Sequence, residues 1–232
     1  MAGDGVAPAR AYARGMVSDD SELLDLYDER GERLGGSKPR GLVHRDGDWH
    51  RTFHCWIAAR RDHGAAVILQ RRSVAKDVHP GLLDVSAAGH LAAGEGDADG
   101  VRELAEELGV VVPFARLRLL AVTREEATGA GIVDREHCAT YLLRHDAALL
   151  DYRPAPDEVD ALVELPVVAG LALARGEVDV VQATMLTATT ATAAGPAMLT
   201  VVTVRREELV ARPWAYYAAI FEQAAAAAAG PG

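Results

Sequence analysis

Two cysteines, Cys55 and Cys138, are all that the sequence contains. Two are too few for a disulfide framework, and both lie in apolar runs, so buried free thiols are expected. Basic residues are also short: 24 Lys and Arg stand against 34 Asp and Glu, for a net charge of −10. That balance argues against a nucleic-acid-binding surface. No uncharged apolar run reaches the length of a membrane span. No apolar segment accompanies Arg10 and Arg14, so no signal peptide is expected. No internal repeat is evident. These absences lead to the expectation of a cytoplasmic protein that binds neither nucleic acid nor membrane. Half of the 232 residues are apolar, enough for a sizeable core in one α/β domain with appendages.

Residues 1–20 are small, polar and aperiodic and read as a disordered tail. Residues 23–27 form a short apolar run before Asp28-Glu29-Arg30-Gly31, the pattern of a strand and hairpin turn. Lys38-Pro39-Arg40-Gly41 reads as punctuation, and residues 44–50 as a polar loop with His44, Trp49 and His50. Strands are expected over 52–59, 65–70, 82–88, 116–123, 138–144 and 159–165. A helix should open at Pro166 and run to about 174. Residues 178–204 are weakly patterned, an excursion with one or two strands. The last helix spans about 213–229, with Trp214, Tyr217, Ile220 and Phe221 on one side. The domain is placed at 21–222, with its core at about 50–175 and a flexible tail at 223–232.

One stretch concentrates chemistry. Gly89-His90-Leu91-Ala92-Ala93-Gly94-Glu95 is a glycine-rich loop, and the acidic helix expected over 97–108 contains Arg102-Glu103-Leu104-Ala105-Glu106-Glu107-Leu108. Asp97 or Asp99 would cap its start and Gly109 its end. Residues three and four apart share a helix face, so Glu103, Glu106 and Glu107 project together. Such crowding costs stability unless a hard divalent cation neutralises it. A solvated acidic face is the other reading of that helix taken alone.

The spacing resembles the box motif of the Nudix hydrolases: Gly, five residues, Glu, seven residues, Arg-Glu, an apolar residue, any residue, Glu-Glu, any residue, Gly and an apolar residue. Gly89, Glu95, Arg102, Glu103, Glu106, Glu107 and Gly109 supply its fixed identities. Seven such identities in order are far from a chance pattern. One departure stands out: six residues, 96–101, separate Glu95 from Arg102 where the motif has seven. The resemblance covers about residues 22–175. It implies an α/β/α sandwich with a mixed central sheet and hydrolysis of a diphosphate linkage in a nucleoside diphosphate derivative or related organic diphosphate. The implied cofactor is Mg²⁺ or Mn²⁺, held by Glu103, Glu106, Glu107 and the Gly89 carbonyl. A glutamate, Glu103 being the one named, would take a proton from water. Arg102 would orient a glutamate or pair with Glu106. Arg71, Arg72 and Lys76 are candidate phosphate binders, or else solvated charges at a strand end. A homodimer is left open.

The chain also resembles type I isopentenyl-diphosphate isomerases, which share the fold. Those enzymes hold a metal with upstream histidines, a histidine after the first box glycine and two acidic residues in a later loop. His44, His50 and His90 match the histidines, and 131–136, with Asp134 and Glu136, matches the acidic loop. Such a set suits Mn²⁺, Mg²⁺ or Zn²⁺. The isomerases place a catalytic cysteine where this chain has Ala88, and they partly lose the glutamates kept here. Hydrolysis is therefore expected ahead of isomerisation, with a non-catalytic nucleotide-binding module as a third reading. His54 reads as a core or sheet residue rather than a ligand. The same stretches resemble a Nudix subgroup found as small bacterial hydrolases and at the start of larger plant proteins.

Overall fold

A computed structural model describes residues 22–76, 78–129, 131–188 and 198–230; the tail expected over 1–20 lies outside them. The chain opens with a hairpin, β1 (Leu23–Tyr27) and β2 (Arg33–Pro39), followed by a short helix α1 (Arg40–Asp46). Then come β3 (Trp49–Arg61), β4 (Gly64–Arg72), β5 (Leu83–Asp84) and β6 (Ala87–His90). A 3-10 turn at Asp99–Val101 runs into α2 (Arg102–Leu108). A long hairpin, β7 (Leu117–Gly129) and β8 (Ile132–Arg144), precedes β9 (Val159–Pro166), α3 (Val167–Ala174), β10 (Val180–Thr187), β11 (Leu199–Arg205) and α4 (Trp214–Ala229). The strand at 180–187 and all but the last residue of the strand at 199–205 fall inside the weakly patterned stretch, whose residues 189–197 lie outside the described ones.

All these strands join one sheet. β3 runs parallel to β8 and antiparallel to β4 and β6, so the sheet is mixed. Successive residues of a strand face opposite sides, and β3 shows what that division accomplishes. Phe53, Cys55 and Ile57 pack with Leu104 and Leu108 of α2. Trp56 and Ala58 pack on the other side with Leu173 of α3 and Tyr217 and Phe221 of α4. The result is an α/β/α sandwich. Tyr217 and Phe221 are fully enclosed, each contributing about 1.5–3 kcal/mol through burial, and the Tyr217 hydroxyl donates to the Val210 carbonyl at 2.6 Å.

Several sequence-based boundaries require correction. Residues 40–46 are helix α1 rather than punctuation and loop. Pro39 stands at its start, and Gly47 ends it in the left-handed conformation, φ 70°; the internal Gly41 masked the helical pattern. His44 therefore sits on a helix and His50 on a strand. The single strand expected over 82–88 is two, because Ser86 leaves the ladder. Its hydroxyl accepts from Ile57 N–H at 2.7 Å and donates to the Ile68 carbonyl. The chain thereby switches partner from β4 to β3. Asp134 and Glu136 lie on β8, not in a loop, since the β7–β8 pairing extends to Gly129 and Ile132. Helix α4 continues to Ala229 and buries Ala224 and Ala228, so 223–229 belong to the folded body.

Candidate active site

Strand β6 places two adjacent residues on opposite sides of the sheet. Gly89 pairs with Phe53 and faces α2; His90 pairs with Thr52 and faces away. A Cβ at Gly89 would overlap the Glu103 carboxyl, so only glycine lets that carboxyl lie against the strand. The loop after β6 is pinned to β1: Asp25 Oδ2 accepts from Gly94 N–H at 2.8 Å, and Ala93 N–H donates to the Leu23 carbonyl at 2.7 Å.

The expected side-chain cap at the start of the acidic helix does not form. Asp97 pairs with Arg51 and accepts from the Tyr141 hydroxyl at 2.7 Å, while Asp99 bonds Gly96 N–H at 2.9 Å. The regular helix starts only at Arg102, behind the 3-10 turn, where the box is one residue short. The shortening leaves the glutamate–arginine pair intact. Glu95 Oε2 meets Arg102 Nη1 at 2.6 Å and accepts from Ala92 N–H at 2.8 Å. Arg102 also donates to the His90 carbonyl at 2.8 Å and lies 3.1 Å from Glu103 Oε1. Its nearest carboxylate partners are thus Glu95 and Glu103 rather than Glu106. Gly109 closes α2 as expected, φ 71°.

Glu107 is buried by the packing of α2 beneath β6, Glu103 is half-buried with its carboxyl against Gly89, and Glu106 is exposed. Burial lifts the Glu103 carboxyl to about 7, with Arg102 working in the opposite direction. Glu107 is pushed well above the usual carboxylate range by burial and then by Glu103. Its Oε2 accepts from Ala88 N–H at 3.1 Å and from the Gln70 amide at 3.5 Å.

On the other side of the sheet three imidazoles converge. Ring centroids of His44, His50 and His90 lie 5.1 to 5.3 Å apart. Asp134 Oδ1 is 3.6 Å from His44 Nε2 and 3.5 Å from His50 Nε2. Glu136 Oε1 is 3.9 Å from both His50 Nε2 and His90 Nε2. His50 Nδ1 sits 3.2 Å from the Asp48 carbonyl. A proton there leaves the Nε2 lone pair facing the carboxylates. Burial drives His50 down to about 3 and His90 well below its ordinary value, so both rings are neutral. Burial raises Asp134 to about 6 and, with Asp134 beside it, Glu136 to about 8. The Nε2 atoms of His50 and His90 and Oδ1 of Asp134 are buried with no hydrogen-bond partner. Buried polar atoms seldom stand so, and neutral imidazoles with carboxylates are the donors a divalent cation takes.

Among the described residues, three groups bring one donor atom per residue within 4.8 Å of one another: His44–His50–His90, His50–Asp134–Glu136 and His54–Glu125–Cys138. No glutamate of α2 belongs to them. Of the basic candidates, Arg72 donates to the Val78 carbonyl at 3.0 Å and lies 3.4 Å from Asp84; Arg71 is 3.6 Å from Glu208, and Lys76 pairs with Glu158. Arg212, unmarked in the sequence, bridges Asp84 at 2.6 Å and Glu125 at 2.7 Å. Burial opposes ionisation of Asp84, but Arg212 and Arg72 hold its carboxyl well below the usual range. The meeting of His54 with Glu125 and Cys138 has no local sequence signal, because it depends on strand pairing.

These features first define a class: an α/β/α sandwich with a glycine loop and an arginine–glutamate helix set against its sheet. The NUDIX domain family model matches residues 48–182. An uncharacterized Nudix hydrolase of Clostridium acetobutylicum is 41% identical over 148 residues, covering 64% of this chain and 71% of that protein. Nudix hydrolase 3 of Arabidopsis thaliana is 39% identical over 150 residues, 62% of this chain but only 19% of the plant protein. An isopentenyl-diphosphate Delta-isomerase of Mycolicibacterium vanbaalenii is 31% identical over 150 residues, 64% of this chain and 80% of that enzyme. The chain belongs to the Nudix family and is a Nudix hydrolase. Enzymes of this family act on small nucleotide-derived molecules and generally use divalent metal ions. No helix among the described residues is long and apolar enough to cross a membrane.

Proposed function

We propose that the protein hydrolyses a diphosphate linkage in a nucleoside diphosphate derivative or a related organic diphosphate, with Mg²⁺ or Mn²⁺. The observation that carries this reading is the pair of buried carboxyls, Glu103 and Glu107, held under β6 beside Arg102. Glu103, Glu106, Glu107 and the Gly89 carbonyl would hold cations on this side; His44, His50, His90, Asp134 and Glu136 would hold one on the other. Bound cations supply charge neutralisation for the two phosphoryl groups and a more acidic water. Glu103 is the group that would take a proton from that water. Arg102 fixes the direction of the Glu103 carboxyl. Lys76 carries charge that reaches both His90 and Glu107, which suits a phosphate bound between the two groups. Arg71 and Arg72, at the end of β4, are the other candidate phosphate binders.

The convergence of three histidines and two carboxylates also favours a second reading, an isomerase of isopentenyl diphosphate, but Ala88 occupies the position of the thiol that reading needs. One panel separates them. Purified protein with Mg²⁺ or Mn²⁺ is incubated with nucleoside diphosphate derivatives and isoprenoid diphosphates. Release of a monophosphate product is expected. Conversion of isopentenyl to dimethylallyl diphosphate would establish the isomerase instead. Tight nucleotide binding by calorimetry with no turnover of any compound would leave a binding module.

A further inference from the structure

The face of the sheet that carries the histidine group continues past it. Across β3, β8 and β7, strand pairing aligns His50, Glu136 and Glu125 in one row and Thr52, Cys138 and Thr123 in the next, with His54 following on β3. His54, Glu125 and Cys138 consequently bring donor atoms within 4.8 Å of one another. His54 is almost wholly buried, and its Nδ1 has no hydrogen-bond partner. Arg212 holds one oxygen of Glu125 at 2.7 Å and so orients that carboxylate. Glu125 remains partly exposed, which gives the cluster a route to solvent.

Glu136 stands between this cluster and the histidine group. Its Oε1 faces His50 and His90, at 3.9 Å from each. Its Oε2 faces the other way, accepting from Cys138 Sγ at 3.4 Å and lying 3.9 Å from His54 Nε2. A carboxylate with one oxygen aimed at each of two donor sets has the geometry of a bridge between two cations.

We propose that His54, Glu125 and Cys138 form a second cation site, selective for a borderline-soft divalent ion such as Zn²⁺, with Glu136 bridging it to the histidine group. The donor set decides the class of ion: thiolate and imidazole suit zinc, whereas Mg²⁺ takes oxygen. Tetrahedral zinc places N and S donors roughly 3.3–3.8 Å apart, so a 4.8 Å spread closes through small side-chain rotations. Binding forms a sulfur–metal bond and releases the Cys138 proton to buffer. The bridge rests on the histidine group holding a cation, as proposed above; the Cys138 site itself does not depend on hydrolysis.

Cobalt(II) added to the metal-free full-length protein provides the test, because a thiolate ligand gives a near-ultraviolet charge-transfer band that histidine and carboxylate ligands do not. The band is expected in the wild type, displaced by added Zn²⁺, and lost in Cys138→Ser. It should persist in Cys55→Ser, since Cys55 lies on the opposite side of the sheet, and weaken in His54→Ala. Absence of the band from the wild type overturns the proposal without need of any variant, as does its survival in Cys138→Ser. Neither result bears on whether the protein hydrolyses diphosphates, and failed hydrolysis leaves the band unaffected.

Discussion

The two faces of β6 carry acidic chemistry assembled in opposite ways. On the α2 side, Glu103 and Glu107 come from one turn of one helix, and Arg102 and Glu95 attend them from the same stretch. On the other side, His44, His50, His90, Asp134 and Glu136 come from four separate elements, α1, β3, β6 and β8. Charge is managed differently too. The helix carboxyls have a guanidinium beside them; the second group has neutral imidazoles and carboxyls whose ionisation burial opposes. The first is a motif contained in one stretch of sequence, while the second exists only after the sheet has closed.

The largest effect should come from breaking the α2 face. Glu107→Gln keeps the shape and the Ala88 contact but removes the charge, and hydrolysis should fall by roughly 10²–10⁴-fold. Its burial disfavours the ionised form, so the metal-free variant should melt no lower than the wild type. Steady-state kinetics and calorimetry check both halves. Gly89→Ala comes next. The added methyl collides with Glu103, and kcat should drop by roughly 10²-fold, the scale of a small misplacement. If the faces are independent, the histidine group of this variant still takes up Mn²⁺, measured by electron paramagnetic resonance.

His50→Ala attacks the other face. It removes a fully buried imidazole, and Mn²⁺ affinity there should fall by at least roughly 10–100-fold. Unchanged stoichiometry and affinity would remove this group from the metal site. The smallest effect concerns pH. Glu103 rises from 4.5 to about 7 and Glu136 from 4.5 to about 8 on folding. Their contribution to stability is therefore present below 4.5 and is lost as pH climbs through the folded values. The Tm of metal-free protein should decline over that interval, and saturating Mn²⁺ should flatten the decline. A Tm that climbs with pH there would contradict the burial of these carboxyls.

What was legible in the sequence follows the same division. The box could be read from spacing because its residues act within one loop and helix. Strands β3, β4 and β9 were visible as near-continuous apolar runs because they are buried on both faces, and α4 because it buries one side. Helix α1 was hidden by its seven-residue length and internal glycine. The extent of β7 was hidden because most of it is exposed and polar, and that of β8 because Asp134 and Glu136 face the buried histidine group rather than solvent. Cys138 and His54 were read as core residues, which burial supports; that they share a cluster with Glu125 depends on the parallel pairing of β3 with β8. No periodicity within either strand encodes that pairing.

The opposed directions of Gly89 and His90 set a rule for how this chain can change length. A residue can be removed from the loop between Glu95 and Arg102, as this sequence demonstrates, because the 3-10 turn takes up the slack. The same deletion between Ser86 and Gly89 would rotate the strand by half its period. The imidazole would then point toward Glu103 and the glycine toward Glu136, so one missing codon would empty both groups at once. Insertions and deletions in descendants of this chain should accordingly accumulate after Glu95 and spare the four residues of β6.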